Sequence, residues 1–197
     1  MIKAILMDFE GVVSKNGSLF NELATFVHLS KEELKEQYQL AKIGKISNDE
    51  YMNHVPQKGW DWYFNYTTIH HGIQEFFKEN TLPIYLISNH VSKLLHPEID
   101  SLGVRENFKE IFVSDKLQLA KPDKKFYEFV LNKTKLNANE VIIIDDQKRN
   151  LVIPKIMGMK TIWVNNQSNF GTEGDVTPDA ETYNLSKLNE IVKGFCE

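Results

Sequence analysis

The stretch Ala4-Ile5-Leu6-Met7-Asp8-Phe9-Glu10-Gly11-Val12-Val13 decides the fold. Its first part, Lys3 to Asp8, reads as a short buried strand: apolar, and stopped by acids and a glycine. The strand ends on two carboxylates, Asp8 and Glu10. Open α/β sheets bind ligands at the carboxyl ends of their strands. Gly11 lets the backbone turn sharply there and approach a ligand closely. Taken alone, an Asp-x-Glu-Gly quartet is most often an acidic turn, so its meaning rests on what other strand ends bring to meet it.

Further apolar runs follow. Pro83-Ile84-Tyr85-Leu86-Ile87 ends in Ser88-Asn89, and Ile111-Phe112-Val113 ends in Ser114-Asp115. Val141-Ile142-Ile143-Ile144 ends in Asp145-Asp146, and Thr161-Ile162-Trp163-Val164 makes a fifth strand. Helical patterns separate them. One carries Ile73, Phe76 and Phe77; another runs from Ser92 to Leu102, with Gly103 as its stop and Pro97 at a break. A third starts near Pro122 with Phe126, Phe129 and Val130 on one face, a fourth stops at Gly158, and Leu185 to Val192 closes the chain. Alternating strands and helices predict an α/β fold, a Rossmann-like and mainly parallel sheet.

Between the first strand and Gly72 the pattern is helical throughout. Ser14-Lys15-Asn16-Gly17-Ser18 is turn chemistry. Ser30-Lys31-Glu32-Glu33 and Ser47-Asn48-Asp49-Glu50 are capping boxes that open helices. A stretch of this length far exceeds the usual connection of about 2–6 residues. Residues 15–71 are therefore expected to form a small helical cap domain, and residues 1–14 and 72–197 the core domain. The aromatic cluster from Trp60 to Tyr66 is expected to fill the cap or dock it on the core, because rings supply most of the burial available to a small domain. The sharper alternative turns one or two rings toward a substrate.

The 197 residues carry a formal charge of −4, which argues against a nucleic-acid-binding surface as the main function. Cys196 is the only cysteine, so disulfides cannot organise the fold, and a reducing, cytoplasmic setting is expected. No signal peptide, transmembrane segment or membrane partner is read from the sequence. Asn165 to Pro178 is loop-like. The six histidines show no metal-site spacing and are assigned surface or packing roles; His90, just past Ser88-Asn89, is the one nearest a site in sequence.

The strand ends carry Asp8, Glu10, Ser88, Lys121 and the Asp145-Asp146 pair. Acids converging in one crevice repel one another unless a cation joins them. Oxygen ligands without histidine or thiol favour a hard ion, Mg²⁺ first. A metal, a lysine and a hydroxyl together suit a tetrahedral phosphoryl group. A carboxylate beside the metal could be a nucleophile, and a second carboxyl two residues on a proton donor.

These residues, in this order, resemble the haloacid dehalogenase superfamily, which consists largely of phosphatases. Its four motifs match Asp8-Phe9-Glu10-Gly11, Ser88-Asn89, Lys121-Pro122-Asp123 and Ile144-Asp145-Asp146 with Asn150. The helical insertion is similar to that superfamily's cap of the first type, including Gly44-Lys45-Ile46-Ser47 with Glu50-Tyr51. The resemblance implies a Mg²⁺-dependent phosphatase acting on a small phosphomonoester through an aspartyl-phosphate on Asp8. It implies Mg²⁺ held by Asp8, the Glu10 backbone carbonyl and Asp146, with Asp145 a ligand or behind one. Ser88, Asn89 and Lys121 would bind the phosphoryl group, and Glu10 would be the acid/base.

Two departures stand out. Phosphatases of this superfamily usually have aspartate where this chain has Glu10, and alanine where it has Pro154, so the helix behind the acid pair is expected to break. The alternatives are a protein of this fold with weak or no catalysis that binds a phosphorylated ligand or a partner, and a haloacid dehalogenase. Lys15, Lys45, Trp60 and Trp62 are candidates for facing a substrate.

Overall fold

The computed structural model describes residues 1–15, 19–165 and 174–197. Within them lie six strands: β1 (Ala4–Met7), β2 (Ile84–Ser88), β3 (Phe108–Val113), β4 (Val141–Asp145), β5 (Lys160–Val164) and β6 (Ala180–Thr182). They form one parallel sheet in the order β3-β2-β1-β4-β5-β6. The order reverses between β1 and β4, so the crevice at a topological switch point opens beside the carboxyl ends of these two strands. Asp8 N–H donates to the Ile144 carbonyl at 2.9 Å, which ties the two ends together.

Alternation along β1 sorts the core. Ile5 and Met7 face a cluster with Leu86, Ile144 and Ile162, covered by α5 (Ile73–Glu79), α6 (Ser92–Ser101) and α10 (Leu188–Gly194). Ala4 and Leu6 face the opposite cluster with Ile87, Ile143 and Trp163, covered by α8 (Lys124–Thr134) and α9 (Arg149–Met157). A sheet buried on both faces needs the near-continuous apolar strands that this sequence has.

Four helices separate β1 from α5: α1 (Leu19–Val27), α2 (Lys31–Ala41), α3 (Asn48–His54) and α4 (Gln57–Tyr66). The Ser30 and Ser47 hydroxyls accept from Glu33 N–H and Glu50 N–H, capping α2 and α3 as their sequences predict. Leu23, Leu34, Tyr38, Tyr51, Trp60 and Tyr63 pack into a third cluster, which also takes in Val91 and Leu94 beside β2. Trp60 and Tyr63 thus fill the insertion, and Trp60 Nε1 donates to the Met52 carbonyl at 2.8 Å. The chain leaves and re-enters the core through a paired neck, in which Lys15 N–H donates to Thr68 O and His70 N–H to Val13 O, each at 2.9 Å.

Several expectations are corrected. β6 escaped the sequence reading because three residues, Ala-Glu-Thr, carry no periodic signal. β3 begins at Phe108, three residues before the apolar run that marked it. Pro97 does not sit at a break, since α6 runs through it; the carbonyl its ring frees belongs to Lys93, on the exposed side. Nor does Pro154 break α9. The carbonyl left without its helical donor is that of Asn150, and the Tyr127 hydroxyl of α8 donates to it at 2.7 Å. Asn16 to Ser18 of the turn after β1, and residues 166–173 of the loop-like tract, lie outside the described residues.

Tyr127→Phe removes that donor and leaves a buried carbonyl unsatisfied. The variant is expected to lose about 1–3 kcal/mol of stability in urea titrations, with the slope unchanged.

Candidate active site

Asp8 follows β1, and the chain turns at once: the Phe9 carbonyl accepts from Val13 and Ser14 N–H at 2.8 and 2.9 Å, with Gly11 at φ 82°. This is the left-handed conformation that glycine adopts without penalty. Ser88 closes β2 and is buried. Asp145 closes β4 and Asp146 follows it, both buried. Lys121 comes from the turn before α8 and is only 4% exposed.

The structure brings these groups together. Lys121 Nζ lies 2.9 Å from Asp8 Oδ1 and 2.7 Å from Asp145 Oδ2. Asp145 also accepts from Gln147 N–H at 2.9 Å, and from the Asn150 amide at 3.0 and 3.2 Å. One oxygen each from Asp8, Asp145 and Asp146 lies within 4.8 Å of the other two. Burial raises the Asp8 carboxyl well above the ordinary carboxylate range; Lys121 pulls it back and the Asp145 charge adds to the rise. Burial lowers the Lys121 ammonium, but the attraction of Asp145 and Asp8 outweighs it and raises the group overall. One ammonium among three buried carboxylates leaves an excess of negative charge. The donor set is all oxygen and closely spaced, so a divalent cation fits it.

Asn89 shows a different emphasis from the sequence reading. Its amide donates to Lys121 O at 2.7 Å and accepts from Lys121 N–H at 2.8 Å, so the side chain is engaged in holding the lysine's main chain.

Glu10 meets a histidine. Its Oε1 lies 3.6 Å from Nε2 of His90, which lies 3.8 Å from Glu98 Oε2 on α6. His90 and Glu98 are fully buried. Burial raises the Glu10 carboxyl, but the charges of His90, Lys42 and Lys121 together outweigh it and hold it below its ordinary range. Burial lowers the His90 imidazole, yet Glu10 and Glu98 drive it up to about 9. Burial pushes Glu98 up to about 7, against the pull of His90. The packing or surface role assigned to His90 is therefore incomplete, because its ring is an ionic partner of a candidate site residue. Glu98 gave no sequence signal, being one acid within a helix of mixed polarity.

From the insertion, α2 reaches this end of the sheet. The Tyr38 hydroxyl donates to Asn89 O at 3.4 Å, and Lys42 Nζ stands 5.6 Å from the centre of the Tyr38 ring. Asn48 donates to Ser92 Oγ at 2.9 Å and Asp115 Oδ2 at 2.8 Å, and Ser114 Oγ donates to Lys42 O. Tyr38 and Lys42 thus stand within electrostatic reach of Glu10. Trp60 lies inside the insertion and Lys45 is exposed. Trp62 stacks on Phe26, with ring centres 5.4 Å apart. Lys15 lines a separate groove of about 290 Å³ with His70, His71 and Tyr183.

The family profile described as haloacid dehalogenase-like hydrolase matches residues 5–164, and the chain belongs to that family. The (S)-2-haloacid dehalogenase of Pseudomonas sp. (strain YL) is 24% identical over 114 residues, 58% of this chain and 49% of that enzyme. The pyrimidine 5'-nucleotidase YjjG of Escherichia coli (strain K12) is 26% identical over 116 residues, 58% and 50% of the two chains. A phosphoglycolate phosphatase of Pseudomonas fluorescens (strain Pf0-1) is 21% identical over 131 residues, 65% and 47%. The chain spans about half the length of these curated relatives. Among solved structures, the 2-haloacid dehalogenase of Pseudomonas syringae pv. Tomato DC3000 superposes with a TM-score of 0.75 at 18% identity, covering 99% of this chain and 100% of that one. A family enzyme of Bacteroides thetaiotaomicron, in complex with magnesium and inorganic phosphate, superposes with a TM-score of 0.72 at 18% identity, covering 89% and 98%. Among the described residues no helix is long and apolar enough to cross a membrane.

The buried His90–Glu98 pair gives stability a pH dependence of definite sign. His90 is raised from 6.5 to about 9, so its contribution is full below 6.5 and is lost as pH rises through 9. Glu98 is raised from 4.5 to about 7, so its ionisation also costs stability as pH rises. The thermal midpoint of the wild type is expected to fall from pH 4.5 to 7 through Glu98 and from pH 6.5 to 9 through His90, and that of His90→Gln/Glu98→Gln to fall much less. Equal slopes would contradict the pairing.

Proposed function

We propose that the protein is a phosphatase that hydrolyses a small phosphomonoester by way of an aspartyl-phosphate on Asp8, with Mg²⁺ as its cofactor. The observation that supports this most directly is the Asp8–Lys121–Asp145 bridge, with Asp146 completing an all-oxygen cluster around it. Asp8 is the nucleophile, and its Oδ2 is the oxygen not engaged by Lys121. Lys121 and the Ser88 hydroxyl take the phosphoryl oxygens, and the Asn89 amide keeps Lys121 in place. Asp8, the Glu10 carbonyl and Asp146 would hold Mg²⁺, with Asp145 a ligand or fixed behind one. That ion supplies positive charge to the phosphoryl oxygens. Glu10 carries the proton to the leaving oxygen and then takes one from the attacking water.

In this reading residues 15–71 are a cap and residues 1–14 and 72–197 the core, with Tyr38 and Lys42 presented by the cap to the substrate. The partner is a small phosphorylated molecule, as the names of the nucleotidase and phosphoglycolate phosphatase relatives suggest. The setting is cytoplasmic, with neither nucleic acid nor membrane engaged.

A second reading, haloacid dehalogenase, is favoured by relatives of comparable identity. Against it stands the acid cluster, because displacing a halide from carbon needs no divalent cation.

A screen of sugar phosphates, nucleotides, phosphorylated acids and 2-haloacids, with and without chelator, separates the two. Phosphate release that requires Mg²⁺ is expected, and chelator-resistant dehalogenation would overturn the proposal. Asp8→Asn is expected to lower kcat on the order of 10³-fold or more while the chain stays folded.

A further inference from the structure

Glu98 is a carboxylate on the buried face of α6, among Leu94, Leu95 and Ile99. It is fully buried, between the His90 ring, 3.8 Å from its Oε2, and the hydroxyl of Tyr63. An isolated buried carboxylate costs several kcal/mol, and leucine or methionine would pack there without that penalty. The cluster around it is polar on several sides. Tyr51 on α3 and Tyr63 on α4 border it with buried hydroxyls, that of Tyr63 facing the Glu98 carboxylate, and Glu10 Oε1 and His90 Nε2 are buried beside them.

The ring of His90 is fixed in its plane. Its Nδ1 accepts from Val91 N–H at 2.8 Å and lies 3.1 Å from Val91 O, while Tyr38 meets the ring edge-on at 5.7 Å. In the neutral ring Nδ1 accepts from Val91 N–H and Nε2 carries the hydrogen; in the charged ring Nδ1 carries one too and donates it to Val91 O. Either way a hydrogen on Nε2 lies between Glu10 and Glu98. The hydrogen on Nε2 is common to both protonation states; only the Nδ1 partner on Val91 changes.

We propose that His90, backed by Glu98, is a positioning residue for Glu10. The proposal rests on the phosphatase reading and explains how that reading survives a glutamate in place of the usual aspartate. The extra methylene adds a rotor and displaces the carboxyl. The Nε2–H group, its nitrogen 3.6 Å from Oε1, removes that freedom and leaves the other oxygen to the reaction. In the first step Glu10 takes up a proton from solvent and passes it to the leaving oxygen as that oxygen's bond to phosphorus breaks and the Asp8–phosphorus bond forms. In the second, Glu10 takes a proton from water as the water oxygen binds phosphorus and the Asp8–phosphorus bond breaks. The sum is phosphomonoester plus water giving alcohol plus phosphate. His90 and Glu98 exchange no proton with the substrate.

Two near-isosteric replacements test this. The asparagine amide in His90→Asn falls near Nδ1, keeping the Val91 contacts but not the reach to Glu10. The longer side chain in His90→Gln places its amide near Nε2 and restores the reach. Each is made in the wild-type and Glu10→Asp backgrounds, the shorter aspartate having lost the contact already. With p-nitrophenyl phosphate and Mg²⁺, His90→Asn is expected to lower kcat about 30-fold with KM within about twofold, the scale of a misplacement under 1 Å. His90→Gln should recover most of that loss. In the Glu10→Asp background the two replacements should agree within about twofold. A merely structural role for His90 would cost the same in both backgrounds, and that result overturns the inference while leaving the phosphatase reading intact. No turnover of any phosphoester by the wild type overturns both. Should His90→Asn fail to fold by circular dichroism, equal kcat losses for His90→Gln in the two backgrounds, beyond about fivefold, overturn it in the same way.

Discussion

The ammonium of Lys121 is the constraint on which the rest of the site depends. It sits between Asp8, past the end of β1, and Asp145, at the end of β4, within 3 Å of a carboxylate oxygen of each. These strands are neighbours across the switch point of the sheet, so the fold itself forces the two acids together. Without a cation between them, at least one would be driven neutral. Removing one partner of such a buried bridge typically costs about 3–5 kcal/mol. The structure protects the lysine accordingly, with the Asn89 amide gripping its main chain on both sides and Asn150 bracing Asp145 from behind.

A second charge system, centred on His90, serves Glu10. Lys121 belongs to Asp8 and Asp145, and His90 belongs to Glu10 and Glu98. Two carboxylates two residues apart thereby reside in unlike surroundings, which is how neighbouring acids acquire different tasks. The helical insertion is part of this division. Its aromatic cluster closes over Val91 and Leu94, and so buries the His90 segment that Glu10 depends on. Packing, burial and charge are thus one problem at this end of the sheet.

Much of this was legible in the sequence, for physical reasons that can be named. Strands buried on both faces are continuous apolar runs, so β1, β2, β4 and β5 stood out, and the first three carried an acid or hydroxyl at the end. Ser30 and Ser47 marked helix starts because capping is local chemistry. What escaped was long-range or weak. β6 is held by its pairing with β5, not by any pattern of its own. The Tyr127 hydroxyl that spares α9 at Pro154 arrives from another helix. Glu98 and His90 meet Glu10 only in space, and no spacing rule reports three charges from three separate segments. Lys42 comes within electrostatic reach of Glu10 because of the angle at which α2 docks, which helical periodicity alone does not set.

The central claim is that Asp8 attacks phosphorus. The most direct test is acid quenching during turnover of a phosphomonoester with Mg²⁺, followed by borohydride reduction and peptide mass spectrometry. An aspartyl-phosphate is reduced to homoserine, and the account predicts that product at position 8 only when substrate and Mg²⁺ are both present. Turnover with position 8 unreduced, or with the reduction found at Glu10 or Asp145, would contradict it.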